Sequence, residues 1–137
     1  MKLVRDVMSS SITSINENAT IDAAIELIVS KGISGIPIVN ESGSVVGVLS
    51  ECDVLPLYTD DQTCDRTIEP CSRFMSRKLR TIQANATVAT AVAVLKASSV
   101  RRLIVLERDR LVGMLSRRDV IRAIRQQRAE ADMTCSV

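Results

Sequence analysis

The feature that most constrains this chain is that one pattern is written in it twice. Sliding the sequence against itself by 67 positions lays Met8 on Met75, Ser9 on Ser76, Ile15 on Ile82 and Ala24 on Ala91. The same shift lays Asn18, Ala19 and Thr20 on Asn85, Ala86 and Thr87. Past the polar stretches at 40–45 and 107–111 the shift becomes 66, and Gly47, Leu49, Ser50, Asp53 and Val54 fall on Gly113, Leu115, Ser116, Asp119 and Val120. One residue lost inside a polar connection, with register kept on both sides, marks two copies of one fold, because connections tolerate deletions that packed elements do not. At 137 residues the chain has room for two half-domains of a common core rather than two large domains.

Each copy reads as strand, helix, strand, strand, helix. Thr20 is a good N-cap, and Asp22 adds negative charge to the first turn, where the helix dipole favours it. Ile21, Ala24, Ile25 and Ile28 follow at helical spacing and predict one buried stripe, with Gly32 as its stop. Ile36–Val39 and Val45–Leu49 read as two strands of a hairpin around the polar turn Asn40–Ser44. Ser50 then caps a second helix that Pro56 limits. In the second copy Thr87 caps Val88, Ala91, Val92 and Leu95; Leu103–Leu106 and Leu111–Leu115 are strands; Ser116 caps a helix running towards Arg128. A sheet of this size cannot bury both its faces alone, so the halves are expected to pack sheet against sheet. Tyr58–Glu69, rich in Asp, Thr and Gln, reads as the connection.

Composition narrows the chemistry. The chain has no His and no Trp, one Tyr (Tyr58) and one Phe (Phe74), so its core is aliphatic. The commonest general base and neutral metal ligand are thereby missing. Cys52 beside Asp53 is the one nucleophile worth weighing, and a thiol without a histidine makes a poor enzyme. The cysteines Cys52, Cys64, Cys71 and Cys135 form no C-x-x-C pair and are expected to be free thiols, with no metal site. A net charge of +2 does not advertise nucleic-acid binding, and the stacking platforms for single strands are lacking. No apolar run approaches membrane-spanning length, and Asp6 interrupts any secretory signal, so a cytoplasmic protein without membrane contact is expected.

The segments Gly47–Asp53 and Gly113–Asp119 both resemble the signature of the cystathionine-β-synthase (CBS) domain family: Gly, apolar, x, Ser or Thr, x, x, Asp. Ile33–Val39 is similar to that family's second strand, in which apolar residues surround a proline. Val7-Met8 and Phe74-Met75 resemble its opening. The likeness runs from about Val4 to Ile124. It implies an α/β (α+β) fold of two pseudo-symmetric CBS repeats, each a small sheet with two packed helices. Their expected bounds are residues 1–57 and 71–128, with a linker at 58–70 and a tail at 129–137.

The resemblance also implies function: a regulatory module with no catalytic residue. Its ligand would be AMP, ADP, ATP or S-adenosylmethionine, and its partners a second copy and an effector protein. In this family each cleft joins one repeat's Ser-x-x-Asp to the other's opening segment and second-strand start. The first cleft would use Ser50 and Asp53 with Thr81, Arg101 and Arg102, and would take a phosphorylated ligand. The second would use Ser116 and Asp119 with Ser14, Ser34, Gly35 and Pro37. The chemistry suits the parts, since an aspartate can accept hydrogen bonds from two ribose hydroxyls and paired guanidiniums can grip phosphate. Arg101-Arg102-Leu103-Ile104 departs from the Ser-Gly-Ile-Pro of the first copy, and Cys52 from the basic residue kept as Arg118. Two readings remain open. Ser-x-x-Asp is also nearly a capping box that needs no ligand, and Arg118, Arg122 and Arg125 share one side of the last helix as a solvated basic face or as a contact. A module with empty clefts, serving only dimerisation or protein interaction, is the alternative. Met8 and Met75 are expected to be packing residues.

Overall fold

The computed structural model describes residues 2–57 and 66–135; Tyr58, Cys64 and most of the expected linker lie outside the described residues. The elements in chain order are α1 (Val4–Val7), β1 (Ile15–Asn16), α2 (Ile21–Lys31), β2 (Gly35–Val39), β3 (Val45–Ser50) and α3 (Glu51–Val54). They are followed by β4 (Thr81–Gln83), α4 (Val88–Ala97), β5 (Arg102–Glu107), β6 (Arg110–Ser116) and α5 (Arg117–Cys135). The strands form two three-stranded sheets, ordered β1-β2-β3 and β4-β5-β6, in each of which the first pair is parallel and the second antiparallel.

The predicted starts and stops are in place. The Thr20 hydroxyl accepts the N–H of Ala23 (3.1 Å) and the Thr87 hydroxyl that of Thr90 (3.1 Å), so each leading helix is capped by the same residue type at the same turn. Gly32 ends α2 in the left-handed region (φ 62°), where glycine alone is unstrained. Pro56 stops α3 after one turn, and a 3-10 turn over Leu55–Leu57 follows. The hairpin bulge recurs at the same column of both copies, Ile38/Val39 and Val105/Leu106. The last helix runs beyond the expected Arg128, so most of the expected tail is helical through Cys135.

The compact units do not coincide with the sequence repeats at 1–57 and 71–128. Unit 2 is Thr13–Leu79, and unit 1 joins Met1–Ile12 to Arg80–Val137. The opening of each copy has moved to the other copy's sheet. In unit 1, Val4 and Arg5 donate to the carbonyls of Ala86 (2.8 Å) and Ala84 (3.0 Å), and Ser9 and Met114 exchange both backbone bonds. In unit 2, Cys71 and Ser72 donate to Ala19 (2.8 Å) and Glu17 (2.9 Å), and Ser76 and Val48 exchange theirs. Shifted by 67, or by 66 for Val48 and Met114 beyond the hairpin turns, these are the same bonds. The aliphatic cores follow this division: Val4 packs with Ile82, Leu95, Leu103 and Leu115, while Cys71 and Met75 pack with Ile21, Ile36, Ile38 and Leu49.

The signature glycines are explained by this exchange. A Cβ on Gly47 would stand 2.5 Å from Met75 Sδ and 2.9 Å from the Ser76 carbonyl oxygen; one on Gly113 would stand 2.6 Å from Met8 Sδ and 2.7 Å from the Ser9 carbonyl oxygen. The close approach these glycines allow is therefore to the exchanged opening segment. Met8 and Met75 are packing residues, as expected.

Candidate functional site

In each sheet the starts of the first two strands and the end of the third lie at one end. That end of unit 2 collects Ser14 before β1, Ser34 and Gly35 opening β2, and Ser50 and Asp53 at the junction of β3 and α3. Gly35 is directly opposite Ser50 in register, and the Ser34 carbonyl accepts the N–H of Glu51 (3.0 Å). A Cβ on Gly35 would sit 3.3 Å from the Leu49 carbonyl oxygen, so the strands approach closely here. Ser14 and Ser34 are exposed, and Pro37, one turn of the pleat inside, is buried.

The matching end of unit 1 collects Thr81, Arg101, Arg102, Ser116 and Asp119. Arg102 is opposite Ser116 in register, and the Arg101 carbonyl accepts the N–H of Arg117 (3.1 Å). Thr81 and Arg101 are exposed and Arg102 is half-buried. The expected residue sets thus separate by copy, with Ser50 and Asp53 in one compact unit and Thr81, Arg101 and Arg102 in the other. Two further arginines belong to this end: Arg80, whose carbonyl accepts the N–H of Ile104 (2.9 Å), and Arg117. Reading the second copy against the first column by column would have found both.

Both aspartates act as caps. Asp53 Oδ2 accepts the N–H of Ser50 (2.8 Å) and its hydroxyl (2.9 Å). Asp119 Oδ2 accepts the N–H of Ser116 (2.9 Å), and the Ser116 hydroxyl accepts the N–H of Asp119 (3.1 Å), a complete capping box. The copies differ at the other oxygen. Asp119 Oδ1 lies 3.6 Å from Arg122 Nη1, whereas the matching column in the first copy is Pro56, which brings no cation. Among the described residues, Asp53 has no such ion pair at its other oxygen. Arg118, Arg122 and Arg125 are all exposed on α5.

Proline and isoleucine at the matching β2 and β5 positions also have different consequences. Ile104 donates to Arg80, and β4 begins its pairing at Thr81 opposite Ile104. Pro37 has no N–H to donate, and β1 begins its pairing one residue later, at Ile15 opposite Ile38. The sheet end of unit 2 is thus more open on its first strand.

Among the described residues, no group of three or more carboxylates and thiols is placed to hold a metal ion. Cys52 is exposed and free; Cys71 is free and fully buried. Burial pushes the Cys71 thiol pKa up, opposed in part by a backbone hydrogen bond.

Comparison with known proteins agrees with this geometry. The family model described as CBS domain matches residues 4–60 and again 71–126. The solved structure of CBSX2 in complex with AMP is 25% identical, with a TM-score of 0.80 over 93% of this chain and 99% of that one. An uncharacterised protein of Methanocaldococcus jannaschii is 27% identical over 88% of this chain and 42% of its own length. The A-adding tRNA nucleotidyltransferase of Aquifex aeolicus is also 27% identical, over 90% of this chain and 14% of its length. The chain thus spans less than half the length of these two curated relatives.

Proposed function

The chain belongs to the CBS domain family, whose domain it carries twice, and from that membership we propose that it is a regulatory module that binds an adenine nucleotide or S-adenosylmethionine and catalyses no reaction. The observation that carries this reading is the arrangement at Asp53. Its cap holds the carboxylate at the sheet end through Oδ2, which leaves Oδ1, clear of a cation among the described residues, as the oxygen to receive ribose hydroxyls. CBSX2, alike over nearly its whole length, is known in complex with AMP. The nucleotidyltransferase relative does not argue for catalysis, because the match reaches only 14% of that enzyme.

Ser50, Asp53, Ser116 and Asp119 would hold ribose, Arg101, Arg102 and Thr81 phosphate, and Ser14, Ser34, Gly35 and Pro37 the rest of the ligand. Regulation would follow from different affinities for two arrangements of the protein, passed to an effector or to a second copy. A cytoplasmic homodimer is the form we expect. Exposed Val29, Ile121 and Ile124 give such a dimer apolar surface to cover.

The second reading, a ligand-free dimerisation or interaction module, is favoured by the caps themselves, since both aspartates already have a structural task. Thermal melting with and without AMP, ATP and S-adenosylmethionine separates the two. A ligand at a hundred times its dissociation constant stabilises by about 2.7 kcal/mol. Asp53→Ala should abolish that shift while costing the unliganded fold about 1 kcal/mol for the lost cap. Binding unchanged in Asp53→Ala would remove the ribose role, and no shift with any of the three ligands would leave the ligand-free reading.

A further inference from the structure

The outer helix surfaces of the two units differ more than their sheets do. In each unit both helices pack into one core: Ala24 and Ile28 of α2 with Val54 of α3, and Ala91 and Leu95 of α4 with Val120 of α5. Their other sides form an outer layer. In unit 2 that layer exposes the acids Asp22, Glu26 and Glu51 and one base, Lys31. In unit 1 it exposes Lys96 with Arg117, Arg118, Arg122, Arg125 and Arg128. The one acid of α5 before Arg128 is Asp119, which is taken by the Ser116 N–H and by Arg122. Column for column, Asp22 and Glu26 stand where unit 1 has Ala89 and Ala93, and Glu51 where it has Arg117.

The charges are unlike, but both layers expose apolar surface. Among the described residues the large apolar side chains left exposed are Val29, Leu55 and Ile68 in unit 2 and Ile121 and Ile124 in unit 1. Leu55 and Ile121 hold the same column and are 71% and 65% exposed. Ile68 lies beside the start of α2, whose Ile21 and Asp22 N–H groups donate to the Glu69 and Thr67 carbonyls. All five therefore belong to the helix layers, and apolar side chains grouped in this way and rimmed by charge mark a surface that a protein partner covers.

Two copies that cover this surface with each other can pair like layers or unlike ones. Like pairing sets the arginines of unit 1 against a second set of themselves and the carboxylates of unit 2 against theirs. Such juxtaposition is strongly unfavourable, whereas opposite charges select the partner and its orientation. The lengths differ as well, since α5 has 19 residues and α3 has four. Like pairing puts two long helices together and two short ones together; unlike pairing puts a long helix against a short one.

We propose that a second copy docks head to tail, the basic α4–α5 layer of unit 1 in one copy covering the acidic α2–α3 layer of unit 2 in the other. Ile121 and Ile124 then meet Leu55 and Val29, inside a rim that sets Arg118 and Arg125 against Glu26 and Glu51. This deepens the homodimer expectation, rests on it, and needs no ligand.

Sedimentation of the full chain, with cross-linking to read orientation, tests it. The native chain should sediment as a dimer that weakens as salt is raised. Glu26→Lys with Glu51→Lys, exposed at both positions, should dimerise roughly a hundredfold more weakly, and so should Arg118→Glu with Arg125→Glu. All four changes in one chain exchange the signs of the layers and should restore the dimer. Under like pairing each double variant replaces one repulsion by another, so a double variant that dimerises as the native chain does overturns the proposal. Orientation is read with Ile121→Cys, the exposed native Cys52 serving as the second thiol. Equal parts of unlabelled and isotope-labelled chains are joined by a short bis-maleimide and mapped by mass spectrometry. Mixed-isotope links between Cys52 and position 121 are expected. Mixed-isotope links of either position to itself overturn the proposal while keeping the homodimer. A monomer at every salt concentration overturns both and leaves the nucleotide reading to the melting experiment.

Discussion

The opening segments and the sheet ends of the two copies have kept very different amounts of likeness. The openings at 2–9 and 69–76 make the same backbone bonds, column for column, and press a methionine onto a glycine in both units. The sheet ends share their ladder and their Ser-x-x-Asp caps, yet one carries Arg80, Arg101, Arg102 and Arg117 and the other no arginine in those columns. Repeats diverge where a side chain answers only to solvent or ligand. They stay alike where a buried backbone group must be satisfied or a Cβ has nowhere to go.

The largest expected effect tests the first half of that contrast. Gly47→Val and Gly113→Val each force a side chain against a backbone carbonyl within 3 Å, which the flexible methionine cannot relieve alone. Each should cost about 3 kcal/mol in denaturant unfolding. A copy that tolerates valine with little loss would show that the exchange is not equally tight in both units.

Next comes the proline column. Ile104→Pro removes the donor to the Arg80 carbonyl and should cost about 2 kcal/mol while shortening β4 to the length of β1. Hydrogen exchange at β4 amides reads that fraying. Pro37→Ile should be nearly neutral, since it restores a donor the first copy lacks.

A smaller effect concerns Cys71, which stands in the column of Val4, both fully buried. Its folded-state pKa is raised by burial, so the folded state holds the proton more tightly than the unfolded chain. Its contribution is complete below the ordinary thiol range and is lost as pH climbs through that range towards the folded value. Cys71→Val should leave stability at neutral pH within about 1 kcal/mol of the parent and flatten the alkaline decline in melting temperature. A decline of unchanged slope would assign the alkaline sensitivity to other groups.

The smallest effect lies in the hairpin turns. The first turn, five residues between Val39 and Val45, uses Gly43 at φ 84°; the second, two residues between Glu107 and Arg110, holds Arg108 at 52° and Asp109 at 63°. Two positive φ values in a two-residue loop call for the mirror-type turn that Asn-Gly suits. Arg108→Asn with Asp109→Gly should raise stability by about 0.5–1 kcal/mol, and Gly43→Ala should lower it by a similar amount. Equal responses to both changes would mean that turn strain is not what separates the loops.

Most of the fold was legible because its signals are local. Thr20, Thr87, Gly32 and Pro56 start and stop helices through bonds to their own neighbours, and the missing residue between 40–45 and 107–111 located both hairpins. The candidate site was legible only in part. The residue types of its signature were visible, but whether Asp53 and Asp119 cap a helix or face a ligand depends on which oxygen is already taken. Nothing in the local sequence around Arg80 and Arg117 marks them; they join this end through bonds to strands distant in sequence.

The amino-acid order alone settled that this chain holds one fold twice, with a strand–helix–hairpin–helix plan and an aliphatic interior, because periodicity and caps act within a few residues of themselves. Only the folded chain decided that the two openings change places, that the signature glycines make room for methionines, and that the arginines of the second copy gather at one sheet end. Those outcomes depend on contacts between segments many residues apart, where the steric limit at a Cβ and the saturation of backbone bonds act across the fold rather than along it.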